Sequence, residues 1–318
     1  MKLIKEKSKV AIIGAGNVGS SIAFAIALNQ QVNELVLIDI NRDKAKGEAL
    51  DINHGLSFVG QMSLYQGDYK DCKDCDVIII ASGISRKPGE TRLDLAKKNT
   101  VMAKDVIKNV MKYYTTGVIL AVSNPVDILT YIIQVYSGLP YGRVIGSGTV
   151  LDSSRFRYLL SRKLDVDIRN VHGYIIGEHG DSQLPVWSAT HIAGQRIDEF
   201  CSNLGIQFTY EDKAKIAEEV KNAGAEIIKY KGSTHYAIAI AVSNIVATLL
   251  KDQNTIRTVS SVINGLYGIN DVAISLPSII NSRGIERVLE FKLTKEEETA
   301  LRSSAEKVKA VLNEVKEL

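Results

Sequence analysis

Residues 10–19 read Val10-Ala-Ile-Ile-Gly-Ala-Gly-Asn-Val-Gly19, so a short aliphatic run leads into three glycines spaced as GxGxxG. The aliphatic run predicts a buried strand, and residues 18–28 after it predict a helix. GxGxxG between a strand and a helix is typical of a turn that holds a dinucleotide pyrophosphate. Gly14 permits the tight turn, Gly16 lets the backbone approach the phosphates, and Gly19 lets the helix pack on the strand.

An aspartate follows the next predicted strand. Leu35-Val-Leu-Ile38 forms that strand, and Asp39 ends it 20 residues beyond Gly19. A carboxylate at this position bonds the adenosine ribose hydroxyls and repels a 2′-phosphate, so we predict NAD rather than NADP as the cofactor. The alternative interpretation is a glycine turn with an exposed aspartate.

The first half of the chain alternates strands with helices. Val77-Ile-Ile-Ile80 and Val118-Ile-Leu-Ala-Val122 are further aliphatic runs, and residues 95–113 between them predict a helix. Continuous apolar runs indicate strands covered on both faces, hence a parallel sheet. We predict an α/β fold, with a Rossmann-type doubly wound parallel sheet followed by an α+β catalytic domain.

The character of the chain changes near residue 147, where longer predicted helices begin to alternate with short polar segments. We therefore expect an NAD-binding Rossmann domain over residues 1–147 and a catalytic, substrate-binding domain over residues 148–318. The predicted helices of the second domain cover residues 152–164, 212–231, 236–250 and 296–318. The last has apolar residues spaced 4, 3, 4, 3 from Leu301 to Val315, which predicts one packed stripe.

Composition excludes several classes of protein. The 318 residues are 45% hydrophobic and 24% charged, which is typical of a globular chain and not of a disordered one. The 39 basic and 36 acidic residues leave a net charge of +3, so nothing in the charge favours nucleic acid or anionic lipid as a partner. The N-terminal residues MKLIKEKSK lack the apolar block of an export signal, and we expect a cytoplasmic protein with no membrane span.

The cysteines predict neither a disulfide framework nor a metal site. Cys72 and Cys75 form a CxxC, but no second pair completes a zinc site, and the flanking aspartates predict an exposed turn. Cys201 stands alone in the sequence.

Four further stretches are rich in reactive side chains. They are Arg86-Lys-Pro-Gly-Glu-Thr-Arg92-Leu-Asp94, Ser123-Asn-Pro-Val-Asp127, Gly148-Thr-Val-Leu-Asp152-Ser-Ser-Arg155-Phe-Arg157 and Gly177-Glu-His179-Gly-Asp181. Glycines on both sides of His179 suit a side chain held at a cleft. With the glycine turn, these stretches resemble the L-lactate/L-malate dehydrogenase family along nearly the whole chain, and the bacterial allosteric lactate branch most closely.

The resemblance implies a role for each of these side chains. His179 would exchange a proton with the substrate oxygen, and Asp152 would accept the other ring N–H and stabilise the imidazolium. Arg155 would hold the substrate carboxylate by two parallel hydrogen bonds. Arg92 would polarise the carbonyl as negative charge develops, and Asn124 would position the carbonyl and the nicotinamide.

The resemblance also implies a closing loop and further cofactor contacts. Residues 84–93 would close over bound substrate and exclude water. Lys44 has an alternative interpretation as a solvated helix charge. The cofactor-binding positions implied in addition to the glycines and Asp39 are Val18, Lys44, Tyr69, Gly83, Val122, Asn124 and Ser147.

Arg86 leaves the substrate open. Lactate members of the family usually have glutamine there, whereas malate members have an arginine that would pair with the second carboxylate of oxaloacetate. The motifs around Glu90 and His179, and Thr234 in Gly-Ser-Thr-His-Tyr, resemble the lactate pattern. We expect NADH-dependent reduction of pyruvate to L-lactate, with oxaloacetate and malate as the alternative. A non-catalytic NAD sensor or a methyltransferase-like nucleotide binder could also carry the glycine turn, although neither needs the whole set of reactive residues.

Arg157 and His172 fall where allosteric bacterial members of the family bind fructose 1,6-bisphosphate between subunits. Clustered cations across a symmetry axis repel one another until a phosphate bridges them. The alternative is that both are ordinary helix or strand residues. The resemblance also implies a homotetramer, and a place in glycolysis and fermentation.

Overall fold

The computed structural model describes residues 8–85 and 89–318. Six parallel strands form the first part of its main sheet, in the spatial order β3-β2-β1-β4-β5-β6. Both faces of these strands are buried, because Ala11 and Ile13 pack in one hydrophobic cluster and Val10 and Ile12 in another. The six strands are β1 (Lys9–Ile13), β2 (Glu34–Ile38), β3 (Ser63–Gln66), β4 (Val77–Ile80), β5 (Val118–Ala121) and β6 (Val144–Gly146).

Strands of the second half form two small sheets and extend the main one. A three-stranded and a two-stranded antiparallel sheet contain β7 (Val171–His172), β8 (Ile175–Ile176), β9 (Leu184–Pro185), β10 (His191–Ile192) and β11 (Gln195–Arg196). A long hairpin and one further strand then join the main sheet beside β6, where Ser260 pairs with Gly146. These are β12 (Thr255–Asn264), β13 (Asn270–Asn281) and β14 (Gly284–Val288).

Helices cover the faces of the main sheet and build the second half. They are α1 (Asn17–Leu28), α2 (Arg42–Gly55), α3 (Arg92–Met111), α4 (Val126–Ser137), α5 (Val150–Leu164), α6 (Ile197–Asn203), α7 (Tyr210–Lys231), α8 (Tyr236–Leu250) and α9 (Lys295–Val315). Short 3₁₀ turns occur at Leu56–Phe58, Tyr69–Cys72, Ile168–Asn170, Trp187–Ala189 and Leu266–Gly268. Among the described helices, none is long and apolar enough to cross a membrane.

The predicted α/β fold is confirmed, and every strand and helix predicted in the first half is present within a few residues. The apolar stripe of α9 is buried against this chain's own core. The expectation of short polar segments in the second half was wrong. This half has the longest strands of the described chain, β12 and β13.

The CxxC pair is not exposed. Cys72 and Cys75 are both completely buried, and burial raises the pKa of the Cys72 thiol to about 12. Buried, protonated thiols are poor ligands and nucleophiles. Within the described ranges, no cluster of three or more histidine, cysteine, aspartate or glutamate side chains is arranged to hold a metal ion.

Candidate active site

The glycine turn joins β1 to α1 as predicted. Gly14 has a φ of +102°, and a Cβ there would lie 2.6 Å from the backbone nitrogen of Ser82. A Cβ on Gly19 would overlap the carbonyl oxygen of Gly14, so the close packing of helix on turn requires glycine. Around Gly16, in contrast, no described atom beyond its two chain neighbours lies within 4 Å of the Cβ position. No side chain of the described residues caps α1, which leaves its first N–H groups available to phosphate oxygens.

Asp39 lies at the end of β2 beside this turn. Its Oδ2 accepts a hydrogen bond of 2.7 Å from the backbone nitrogen of Ala15, and its Oδ1 accepts one of 2.8 Å from that of Asn41. The carboxylate therefore ties the glycine turn to the loop after β2. A partly exposed carboxylate in this place suits ribose hydroxyls and opposes a phosphate.

Most of the other predicted cofactor residues lie at the carboxyl ends of the central strands. Gly83 follows β4, and Val122 and Asn124 follow β5. Ser147 follows β6 and donates its backbone N–H to Ala121 at 2.8 Å. Ligands bind at these ends of doubly wound sheets, so the residues present fit a dinucleotide.

The remaining three lie further out. Val18 packs on the cluster beneath α1, and Tyr69 is half-buried in a 3₁₀ turn. Burial raises the pKa of Tyr69, and the nearby charges of Asp105 and Asp39 raise it further. Lys44 is exposed on the first turn of α2, which leaves both of its interpretations open.

His179 and Asp152 form the centre of the candidate site. Nδ1 of His179 lies 2.5 Å from Oδ2 of Asp152, whose side chain is only 3% exposed. Burial alone would lower the pKa of His179, but the charge and hydrogen bond of Asp152 outweigh it and raise that pKa above its ordinary value. Burial acts against the Asp152 carboxylate too, and the imidazole and Arg155 overcome it, so the pKa of Asp152 is lowered. The pair therefore favours imidazolium with carboxylate.

Arg155 completes this cluster from the same helix. Its Nη1 donates to Oδ1 of Asp152 at 2.9 Å, three residues along α5. The guanidinium is 16% exposed and has donors beyond the one used here. A half-buried guanidinium beside a histidine suits the binding of a small carboxylate.

Arg92 does not join the cluster. It is the first residue of α3, and its Nη2 lies 2.6 Å from Oδ1 of Asp181, two residues after His179. Thr234 is half-buried in the segment before α8, where the neighbouring Ser233 accepts a long hydrogen bond of 3.4 Å from Asn17 at the start of α1. Arg86, predicted to face the substrate, lies outside the described residues.

The amide of Asn99 holds the segment around Asn124. Its Nδ2 donates to the carbonyl oxygen of Asn124 at 2.6 Å and to that of Ile84 at 3.2 Å, while its Oδ1 accepts from the backbone of Ile84. The start of the predicted closing loop is therefore anchored to the end of β5. Nothing in the sequence pointed to this role of Asn99, because a helical asparagine carries no local signal of such contacts.

Asp127 is a second residue whose position was not anticipated. It is the second residue of α4 and is 2% exposed, and its Oδ2 accepts the backbone N–H of His179 at 2.7 Å. The sequence placed Asp127 in the Ser123-Asn-Pro-Val-Asp127 stretch, but nothing there predicted a contact with the backbone of His179.

Arg157 and His172 occupy different surroundings. Arg157 donates its Nε to the carbonyl oxygen of Ser153 at 3.1 Å, and burial lowers its pKa. Burial and the charge of Arg157 lower the pKa of Arg257, so these two guanidiniums repel each other. His172 is exposed on β7, where it pairs with His191.

A doubly wound fold with an imidazole–carboxylate pair beside a half-buried arginine defines a nicotinamide-dependent dehydrogenase of small carboxylates. Comparison with known families gives two matches, which together cover nearly the whole chain. The NAD binding domain of lactate/malate dehydrogenases matches residues 8–146, and their alpha/beta C-terminal domain matches residues 149–318. The chain belongs to the lactate/malate dehydrogenase family.

Individual relatives match over almost their full length. An L-lactate dehydrogenase of Thermoanaerobacter sp. is 51% identical over 97% of this chain and 99% of its own. The structure of an L-lactate dehydrogenase from Clostridium thermocellum has a TM-score of 0.87 and 66% identity, covering 97% and 99% of the two chains. A minor L-lactate dehydrogenase from Enterococcus mundtii has a TM-score of 0.95 at 41% identity, covering 98% and 99%.

Proposed function

We propose that this protein is an NAD-dependent L-lactate dehydrogenase, which interconverts pyruvate and L-lactate. The observation that carries the proposal is the buried Asp152 carboxylate. One of its oxygens is hydrogen-bonded to the His179 ring and the other to the Arg155 guanidinium. The relatives named above are L-lactate dehydrogenases, which favours pyruvate over oxaloacetate.

His179 is the proton donor for pyruvate reduction. Asp152 binds its Nδ1, so Nε2 is the ring nitrogen left to face the substrate oxygen. NADH, when bound, supplies the hydride. As the carbonyl becomes an alcohol, His179 delivers its proton, and in lactate oxidation it takes that proton back. Asp152 holds the ring orientation throughout.

Three further side chains orient the substrate. Arg155 binds its carboxylate through the guanidinium donors that Asp152 leaves unused. Arg92 stabilises the charge that grows on the carbonyl oxygen, once it exchanges Asp181 for the substrate. Residues 86–88 of the predicted closing loop lie outside the described residues. Asn124 positions the carbonyl and the nicotinamide side of the cofactor.

Cofactor binding involves both the glycine turn and the strand ends. Gly14, Gly16, Val18 and Gly19 bind the pyrophosphate region, and Asp39 binds the adenosine ribose. The free N–H groups of α1 and the open space at Gly16 support this assignment. Lys44, Tyr69, Gly83, Val122, Asn124 and Ser147 complete the proposed contacts.

Arg86 and Thr234 are the proposed determinants of the substrate side chain. Thr234 would line a small pocket that suits the pyruvate methyl. Steady-state NADH oxidation with pyruvate and with oxaloacetate tests the assignment, and we expect the higher kcat/KM with pyruvate. A higher value with oxaloacetate would assign malate dehydrogenase activity to the chain through Arg86. NADH binding without turnover of either keto acid would favour the non-catalytic sensor.

We place the domain boundary between residues 147 and 148. As a separate proposal, the protein assembles into a homotetramer. Exposed apolar side chains support assembly: Phe24 and Leu28 on α1 and Ile240 on α8 are 52%, 49% and 67% exposed and line one groove. Sedimentation velocity should give a tetramer, and Ile240→Glu should shift it toward smaller species.

Fructose 1,6-bisphosphate is the proposed effector, bound by Arg157 and His172 where subunits meet. The repulsion between Arg157 and Arg257 supports an anion site, since a phosphate would relieve it. Activation should vanish in Arg157→Ala and His172→Ala. The control is Arg169→Ala, since Arg169 is 86% exposed and pairs with Asp167. Activation that survives both effector variants would refute the site.

The cellular setting follows from the reaction. An enzyme that regenerates NAD from NADH with pyruvate serves glycolysis and fermentation in the cytoplasm. The three free cysteines, all buried, suit a reducing compartment.

A further inference from the structure

The carboxylate of Asp127 contacts the backbone of His179, the histidine of the proposed active site. Its Oδ2 accepts the His179 backbone N–H at 2.7 Å, and its Oδ1 accepts the Ser260 hydroxyl at 2.6 Å. Asp127 is 2% exposed and Ser260 is completely buried. One carboxylate thus connects the start of α4, strand β12 and the segment that carries His179.

Holding a backbone N–H does not by itself require a charge. A neutral asparagine has an oxygen for His179 and an NH₂ group for Ser260, whose hydroxyl also accepts. A buried carboxylate costs free energy unless a nearby charge or strong donors offset that cost. The nearest group that becomes positive during the reaction is the His179 imidazole, and the charge of Asp127 favours its protonated form.

We propose that Asp127 is a positioning residue for His179: its carboxylate holds the main chain of that residue, and its charge adds to that of Asp152 in stabilising the imidazolium. The inference rests on the proposed function, in which His179 is the proton donor. The Asp127 carboxylate contacts the His179 backbone and the Ser260 hydroxyl, and in this proposal it acts on the reaction only through His179.

Each charged group near His179 and Asp127 raises or lowers the pKa of one of these two residues. Asp152 and Asp127 raise the pKa of His179, whereas burial and Arg155 lower it. Burial raises the pKa of Asp127 itself to about 6, and Glu178 adds to that rise, while Ser260 and the His179 N–H oppose it. Above pH 6 Asp127 is therefore mainly ionised, in the range where His179 must keep its proton for pyruvate reduction.

Asp127→Asn removes the charge and keeps both hydrogen-bonding groups. The kcat/KM for pyruvate at saturating NADH falls as the pH rises through the pKa of His179. We expect this fall in Asp127→Asn to occur about one pH unit lower than in the unaltered protein. A purely structural role would instead reduce kcat/KM by the same factor at every pH.

A second readout does not depend on turnover. Histidine labelled with ¹³C gives ring signals for the five histidines, and loss of one signal in His179→Gln assigns His179. Its titration in the full-length protein should also move down by about one unit in Asp127→Asn. If the unaltered protein fails to reduce pyruvate, the proposed function falls, and this titration still decides whether Asp127 supports the imidazolium.

Two more variants separate charge from packing. Thr130→Val removes a buried hydroxyl one turn along α4, where Thr130 bonds only the Val126 carbonyl among the described residues; we expect no shift in the pH profile. Ser260→Ala removes a donor that favours ionised Asp127, so it should move the profile in the same direction by a smaller amount, and it serves if Asp127→Asn folds poorly. An unshifted profile and unshifted His179 titration in folded Asp127→Asn or Ser260→Ala would overturn the proposal.

Discussion

Nη2 of Arg92 lies 2.6 Å from Oδ1 of Asp181, so the guanidinium at the start of α3 is bound to the segment that carries His179. The two side chains are 59% and 66% exposed. Exposed ion pairs of this kind contribute about 0–1 kcal/mol, because water screens them and both side chains lose freedom. Arg92 can therefore leave Asp181 for a bound keto acid at little cost.

Arg92→Gln should lower kcat for pyruvate reduction by about 10²–10³-fold, because one donor to the developing oxyanion is lost. NADH affinity should change by less than about twofold, since that loss falls on the transition state and not on cofactor binding. Stopped-flow turnover and NADH fluorescence titration measure the two quantities.

Asp181→Asn is the matched control for that variant. It releases the guanidinium without removing it, so the free energy of unfolding should fall by less than about 1 kcal/mol. Its kcat should stay far above that of Arg92→Gln. If both variants lost activity equally, the ion pair itself and not the freed guanidinium would be what the reaction needs.

The His179–Asp152 pair predicts opposite pH dependence for the two directions of reaction. Pyruvate reduction needs protonated His179, so its rate should be full below the raised pKa of His179 and fall as the pH rises through it. Lactate oxidation needs the neutral ring and should rise through the same pKa. Asp152→Asn removes the largest charge that raises this pKa, so both transitions should move to lower pH and kcat should fall.

His179→Ala provides the control for the pH experiment. Turnover in either direction should be lost, whereas NADH should bind with unchanged affinity because the imidazole contacts no residue of the glycine turn in the described chain. Turnover near that of the unaltered protein at any pH would remove His179 from its role as proton donor.

The parallel strands could be predicted because their aliphatic runs are continuous, whereas β12 and β13 could not. In those two strands the buried positions include serines, among them Ser260, Ser261, Ser275 and Ser278. Two of these serines bond distant groups: Ser260 donates to the Asp127 carboxylate, and Ser275 accepts the backbone N–H of Thr149. Such pairing leaves no local apolar pattern.

The error at Cys72 and Cys75 has a related cause. Asp71, which flanks Cys72 and contributed to the prediction of an exposed turn, forms mutual caps with Asp68 in a 3₁₀ turn and accepts the backbone N–H of Asp68 at 2.8 Å. Aspartates that satisfy backbone donors can adjoin fully buried side chains. The site shows the same limit. Motifs predicted roles for His179, Asp152 and Arg155, which the structure brings together. The contacts of Asp127 and Asp181, in contrast, join residues 52 and 89 positions apart.

Asp39→Asn should relax the discrimination against NADP. The amide oxygen can still accept from Ala15, so the glycine turn stays anchored while the charge that repels a 2′-phosphate is removed. We expect the ratio of kcat/KM for NADH to that for NADPH to fall at least tenfold, which corresponds to about 1.4 kcal/mol. Asp43→Asn, in the first turn of α2, is the control and should leave the ratio within about twofold. An unchanged ratio in Asp39→Asn would count against the ribose contact.

Two glycine-to-alanine substitutions should have opposite effects on stability. In Gly19→Ala the new methyl would overlap the Gly14 carbonyl oxygen, so α1 must move away from the turn. We expect a loss of about 1–3 kcal/mol in the free energy of unfolding, and at least tenfold weaker NADH binding, because the helix N-terminus no longer faces the phosphates. Gly47 lies in the exposed middle of α2, where no described atom outside its chain neighbours and its own helix backbone lies within 4 Å of the Cβ position. Gly47→Ala should therefore stabilise the protein by about 0.4–1 kcal/mol and leave NADH binding unchanged, because alanine restricts the unfolded chain. Urea unfolding and fluorescence titration measure both effects, and equal NADH affinity in the two variants would contradict the proposed fit of α1 to the pyrophosphate.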